Sequence, residues 1–158
     1  PPYRHLTVGS AVDPATGKMS GVGPDDIPAL MDRFRPDYLL IEADGAAGRP
    51  VKAPLAHEPV IPAWTDVVVG VVGLDCLGAA VSPETVFRME AFCRVTGLSP
   101  GGRLTPESLD ALAAHPEGLF KGCPGGARRL AFHNKAEAWP RSGRLFGSAR
   151  QGWFVSLE

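Results

Sequence analysis

The chain carries almost no net charge: 16 Lys and Arg stand against 17 Asp and Glu in 158 residues, for a balance of −1. The basic stripe that would follow a nucleic-acid backbone is therefore missing, and composition makes no electrostatic case for that partner. No apolar run approaches the ~20 residues of a membrane-spanning helix, and no basic start precedes a signal-type apolar core. Neither membrane insertion nor export is indicated, and a cytoplasmic protein is expected. Cysteine is scarce too. Cys76, Cys93 and Cys123 are odd in number and match no metal-ligand spacing, so they read as reduced thiols. A glycine-rich phosphate loop is also missing: Gly17-Lys18 runs on into Met19, with no glycine at the spacing that G-x-x-x-x-G-K-[ST] demands. The chain opens Pro1-Pro2-Tyr3 without an initiator methionine, so any such loop is expected upstream of residue 1.

What the chain has in quantity is Gly (19) and Pro (16), with 44% apolar residues. That composition and length suit one soluble domain with sharply turned loops. Leu6 to Val12 reads as a short strand and Asp13 to Gly23 as a loop. Ile27, Leu30, Met31 and Phe34 form an i, i+3, i+4, i+7 stripe, and Pro28 fits only a first turn, so a helix is predicted over 26–34. Asp37 to Ala43 reads as a strand. DVVVGVVG at 66–73 is apolar throughout and reads as a strand covered on both faces. Ser82-Pro83-Glu84 opens a helix predicted over 83–96, with Arg88 on its exposed side beside Glu84. Thr105-Pro106-Glu107 opens another over 106–114. Strands at 128–133 and 152–157 complete an alternating order, which predicts an α/β domain with one mainly parallel sheet flanked by helices.

Two stretches carry chemistry. The first follows the strand ending at Ile41: Glu42-Ala43-Asp44-Gly45, then a loop with Arg49, Lys52, His57 and Glu58, stiffened by Pro50, Pro54, Pro59 and Pro62. Ligands of open α/β sheets bind at the carboxyl ends of strands, and an acid followed by glycine there suits Mg²⁺ or its water shell. The alternative is an ordinary strand leading into a Pro-rich surface loop. The second stretch is Asn134-Lys135-Ala136-Glu137, directly after the 128–133 strand. A strand ending in N-K-x-D reads guanine: the amide fixes the loop, the Lys stem covers the ring, and the acid accepts two base N–H groups. Glu137 is one methylene longer than that acid, and a polar turn leaving a strand explains the same residues. His5, His115 and His133 have no partner at useful spacing and read as structural or exposed. Cys123, in a loop with no activating neighbour beyond Lys121, reads as inert.

EADGAAGRPVKAP, HEPVIP, FRMEAFCRVTG and GLFKGCPGGARR…NKAE, together with the upstream TGKMSGVGPDDI, resemble in order the selenium-dependent molybdenum hydroxylase accessory protein family (YqeC-like). The resemblance covers roughly residues 16 to 137. It implies a P-loop NTPase-like domain that here lacks its N-terminal phosphate-loop segment, as the C-terminal part of a longer nucleotide-binding protein. It further implies Mg²⁺ and a nucleoside triphosphate, GTP or ATP, as cofactors. Asp44 would hold the metal, Glu42 would orient a water or the metal, and Asn134, Lys135 and Glu137 would hold the base. Gly45, Arg49, Lys52, His57, Glu58 and Arg88 would form an anion- or substrate-facing loop. NTP hydrolysis would belong to the complete protein. The implied partner is a molybdenum hydroxylase or its molybdopterin cofactor, with a non-catalytic chaperone that cradles this cofactor as the alternative.

Overall fold

A computed structural model of the chain describes residues 5–135. These fall into two compact units that divide after Ile41. In the first, β1 (Ala11–Val12) and β2 (Met19–Ser20) pair antiparallel, Ala11 opposite Ser20. Asp13 makes the turn between them: its carboxylate accepts from the Ala15 N–H and the Thr16 hydroxyl, each at 2.8 Å. Only the last two residues of the predicted Leu6–Val12 strand are paired, and part of the predicted loop returns as β2. Helix α1 (Ile27–Phe34) forms as expected, with Pro28 in its first turn and Ile27 buried. It stops at Arg35, whose φ of 46° is left-handed.

The predicted 37–43 strand does not form. Tyr38 is 88% and Leu40 93% exposed, and residues 37–46 have no regular structure. A run that is apolar on both faces becomes a strand only when neighbours supply its ladder and cover both sides. Among the described residues no strand pairs with it.

The second unit is built on parallel pairs, not on one continuous sheet. β4 (Val67–Gly73) and β6 (Arg128–Asn134) run side by side through seven residues, from Val67 opposite Arg128 to Gly73 opposite Asn134. β3 (Val51–Lys52) pairs with β5 (Val86–Phe87). The Gly73 N–H donates to the Pro50 carbonyl at 2.8 Å and ties the two pairs together. Glycine is required here, because a Cβ on Gly73 would lie 2.5 Å from Asp75 Oδ1 and 3.0 Å from Pro50 Cβ. Val72 is buried, whereas Val67, Val69 and Val71 on the other face of β4 are 38–56% exposed. The expectation of cover on both faces therefore holds on one face only among the described residues.

The helix predicted over 83–96 is cut short. Ser82 does cap a turn, with the Val86 N–H donating to its carbonyl at 2.9 Å. The chain then extends, because β-branched Val86 and aromatic Phe87 gain more by pairing with β3 and burying Val86 than by continuing a helix. Arg88 reverses the chain at φ 61°, and α2 (Met89–Thr96) starts only there, ending on left-handed Gly97. Helix α3 (Pro106–Ala114) sits where expected. Its cap is reciprocal: the Ser108 N–H donates to Thr105 Oγ1, and the Thr105 N–H donates to Ser108 Oγ. Phe92, Leu104, Leu109 and Leu112 from this helical layer join Val51, Leu74 and Val86 in one core. The strand predicted at 152–157 lies outside the described residues.

Candidate functional site

At the carboxyl end of β4 the polypeptide brings four charges of alternating sign into one row. Lys52, on β3, has its side chain 9% exposed and stands between two carboxylates. Its Nζ bonds Asp44 Oδ1, donates to the Gly45 carbonyl at 3.1 Å, and lies 2.9 Å from Glu58 Oε2. Glu58 Oε1 in turn accepts from Arg88 Nη2 at 3.1 Å. The order is Asp44, Lys52, Glu58, Arg88. Buried Val51, Ala53 and Pro54 anchor the chain on either side of Lys52, so the ammonium has little freedom to leave.

Glu58 is the pivot. Burial pushes its carboxyl up, but Lys52, the Leu55 N–H at 3.1 Å and Arg88 more than reverse this and hold it at about 2. Lys121 stiffens the same loop by donating to the Leu55 carbonyl at 2.6 Å and the Ala56 carbonyl at 3.1 Å. Arg88 does not pair with Glu84 on an exposed helical face, as the 83–96 helix would have required; its left-handed backbone turns it toward Glu58. The guanidinium lies over the Phe87 ring, 4.6 Å from the centroid. Lys52 and Arg49 approach the same ring at 5.2 and 6.0 Å. Arg88 Nε is buried and has no hydrogen-bond partner among the described residues. Leaving such a donor unpaired costs about 1–3 kcal/mol, which marks it as a place where an acceptor would be welcome.

The remaining predicted residues divide. Arg49 is fixed by its own neighbourhood, with Nε on the Pro83 carbonyl at 3.1 Å and Nη1 on the Ala47 carbonyl at 2.7 Å. Gly45 supplies the carbonyl that Lys52 uses. Glu42 is exposed, its Oε1 3.6 Å from where a Gly45 Cβ would stand. His57 is outside the row, with a 73% exposed side chain and Nε2 3.8 Å from Glu58 Oε1. Asn134 closes β6, and its Oδ1 accepts the Lys135 N–H at 2.9 Å. Lys135, at φ 57°, puts Nζ 2.5 Å from Asp75 Oδ2 at the end of β4. Glu137 lies outside the described residues.

Asp75, Phe87 and Lys121 are the residues that sequence reasoning missed as parts of this region. Asp75 carries the one available signal, an acid two residues past the glycine that ends an apolar strand. Phe87 was hidden inside a predicted helix, and Lys121 reaches the loop from more than sixty residues away.

The arrangement bears on metal binding. Glu58 has both oxygens committed, whereas Asp44 has one oxygen beyond its bond to Lys52. Among the described residues no three His, Cys, Asp or Glu side chains gather as a metal cage. Mg²⁺ bound to a nucleotide needs one or two carboxylates, with water and phosphate filling the other positions. Asp44 fits that role.

A model of the YqeC protein family matches residues 3–90. The Escherichia coli (strain K12) protein named "Uncharacterized protein YqeC" is 47% identical over 119 residues, which is 75% of this chain and 46% of that protein. The chain thus spans about half the length of the curated relative it matches. No solved structure matches it. No helix among the described residues is long and apolar enough to cross a membrane.

Proposed function

The chain belongs to the YqeC family, and from that premise we propose that it is part of an NTP- and Mg²⁺-dependent accessory factor that matures a selenium-dependent molybdenum hydroxylase in the cytoplasm. The observation that supports this most is the meeting of two charged groups at one sheet edge. Asp75 and Lys135 stand where β4 and β6 end, and Pro50, bonded to Gly73 at that end, leads within two residues to Lys52, which bonds Asp44. Ligands of α/β sheets bind at this edge.

In this reading Asp44 would hold Mg²⁺, and Glu42 would orient a water or the metal. When bound, Mg²⁺ would supply positive charge to offset the charge of the phosphates in phosphoryl transfer. Lys52 holds the Asp44 carboxylate in place, and Glu58 holds Lys52. Asn134 would offer its amide NH₂ to a base, and Lys135 would offer its stem to the ring once Asp75 releases its ammonium. Glu137 supplies the carboxylate for base N–H groups.

A second reading has its own support. Arg49, Lys52 and Arg88 surround Phe87, and Arg88 Nε lacks an acceptor among the described residues, which suits a non-catalytic chaperone for an anionic molybdopterin-type cofactor or for the client hydroxylase. Turnover separates the two. The complete gene product should release phosphate from GTP or ATP only with Mg²⁺, and Asp44→Asn should abolish this. Phosphate release at the buffer rate, with retained binding of molybdopterin, would favour the chaperone.

A further inference from the structure

An open cavity of about 250 Å³ lies apart from the Asp44–Arg88 row, walled by the end of α3, the 115–123 turn and the start of β6. Its lining residues include His115, Phe120, Cys123 and Arg129, and no carboxylate lines it among the described residues. The acid nearest in sequence, Glu117, is drawn to Lys121 at 3.5 Å. Lys121 itself is spent on the Leu55 and Ala56 carbonyls. Arg129 is exposed on β6 and has no ion-pair partner among the described residues.

His115 adds a second donor. Its Nδ1 accepts the Glu117 N–H at 3.0 Å, so a neutral imidazole carries its proton on Nε2. The turn that sets this ring is tight: a Cβ on Gly118 would meet the Leu112 carbonyl oxygen at 1.9 Å. The Cys123 thiol donates to the Pro124 carbonyl at 3.6 Å and forms a polarisable wall. A guanidinium and an imidazole N–H without an opposing carboxylate select negative charge, and guanidinium matches a carboxylate or phosphate with two parallel bonds.

We propose that this cavity is a binding site for a small oxyanion, a phosphate or carboxylate group, held by Arg129 and His115 with Cys123 at its wall. The site is independent of the nucleotide reading and survives its failure.

Cys123 reports on the site directly. Iodoacetate and iodoacetamide alkylate the same thiol and differ in charge, so the ratio of their rates measures the attraction of the cavity for a carboxylate. Cys76 does not interfere, because burial and then the Asp75 charge push its thiol up to about 11. Peptide mapping separates Cys123 from Cys93. Arg129→Gln should lower the iodoacetate-to-iodoacetamide ratio at Cys123 about fourfold, the effect of one charge within about 5 Å of the anion in a water-like medium. Arg128→Gln makes the same change in net charge on the neighbouring strand position, which faces the other way, and should leave the ratio unchanged. Inorganic phosphate should slow iodoacetamide alkylation of Cys123 in the unaltered chain and not in Arg129→Gln. Equal ratios in Arg129→Gln and the unaltered chain would overturn the proposal. So would an equal fall in both variants, or the absence of phosphate protection.

Discussion

Between Asp44 and Arg88 each charge touches one of opposite sign, and Glu58 is the carboxylate of the row that lies between two cations, Lys52 and Arg88. Its folded-state carboxyl, held at about 2, lies below the ordinary 4.5. A depressed acid stabilises the fold above its unfolded value and loses that contribution as pH falls through the folded one. Stability should therefore decline from about pH 4.5 to about pH 2, and Glu58→Gln should flatten that part of a denaturation-midpoint profile. At neutral pH the same variant should lose about 1.5–3 kcal/mol, the range for hydrogen bonds to charged groups. A midpoint profile identical to that of the unaltered chain would remove Glu58 from the centre of the row. Lys52, Glu58 and Arg49 were legible in the sequence as members of a proline-stiffened loop. Their order was not, because it depends on Phe87 and Arg88, thirty residues on, whose conformation the local pattern misassigns.

At the scale of elements, two local features matter: the tie between this loop and the sheet, and the start of α3. One is the Gly73–Pro50 hydrogen bond, possible only while Gly73 has no side chain. Gly73→Ala should push Pro50 away, destabilising the second unit by about 1–3 kcal/mol through overpacking, with loss of the slowest-exchanging amides of β3 and β4. The other is the seat of α3, where Thr105→Ala removes half of a reciprocal cap and should cost about 0.5–2 kcal/mol by urea denaturation. The α3 start was readable because Thr-Pro-Glu specifies a cap from adjacent residues. Ser82-Pro83-Glu84 has the same local signal, yet its turn yields to β5, since Val86 is worth more against β3 than in a helix. The 37–43 run failed for the converse reason. Its sequence is that of a central strand, but a strand is a relation between chains of residues, and the described residues provide no partner.

At the scale of the whole molecule, the α/β character and the parallel pairing of β4 with β6 followed from apolar runs alternating with amphipathic stripes. The division into short pairs did not, since it depends on which backbones meet. Family membership rests on the family model over residues 3–90, a span that includes the charged row, and on the 47% identical relative. The central claim is that Asp44 serves a Mg²⁺-bound nucleotide while the strand end at Asn134 serves its base. Calorimetric titration of GTP and ATP into the complete gene product, with and without Mg²⁺, tests it most directly. Asp44→Asn should keep the fold and remove the Mg²⁺ dependence of binding. Glu137→Asp should raise the preference for GTP over ATP roughly tenfold to a hundredfold, the equivalent of about 1.5–3 kcal/mol for a charged hydrogen bond restored to its proper reach. If Mg²⁺ dependence persists in Asp44→Asn and the GTP-to-ATP ratio stays fixed in Glu137→Asp, the claim is contradicted.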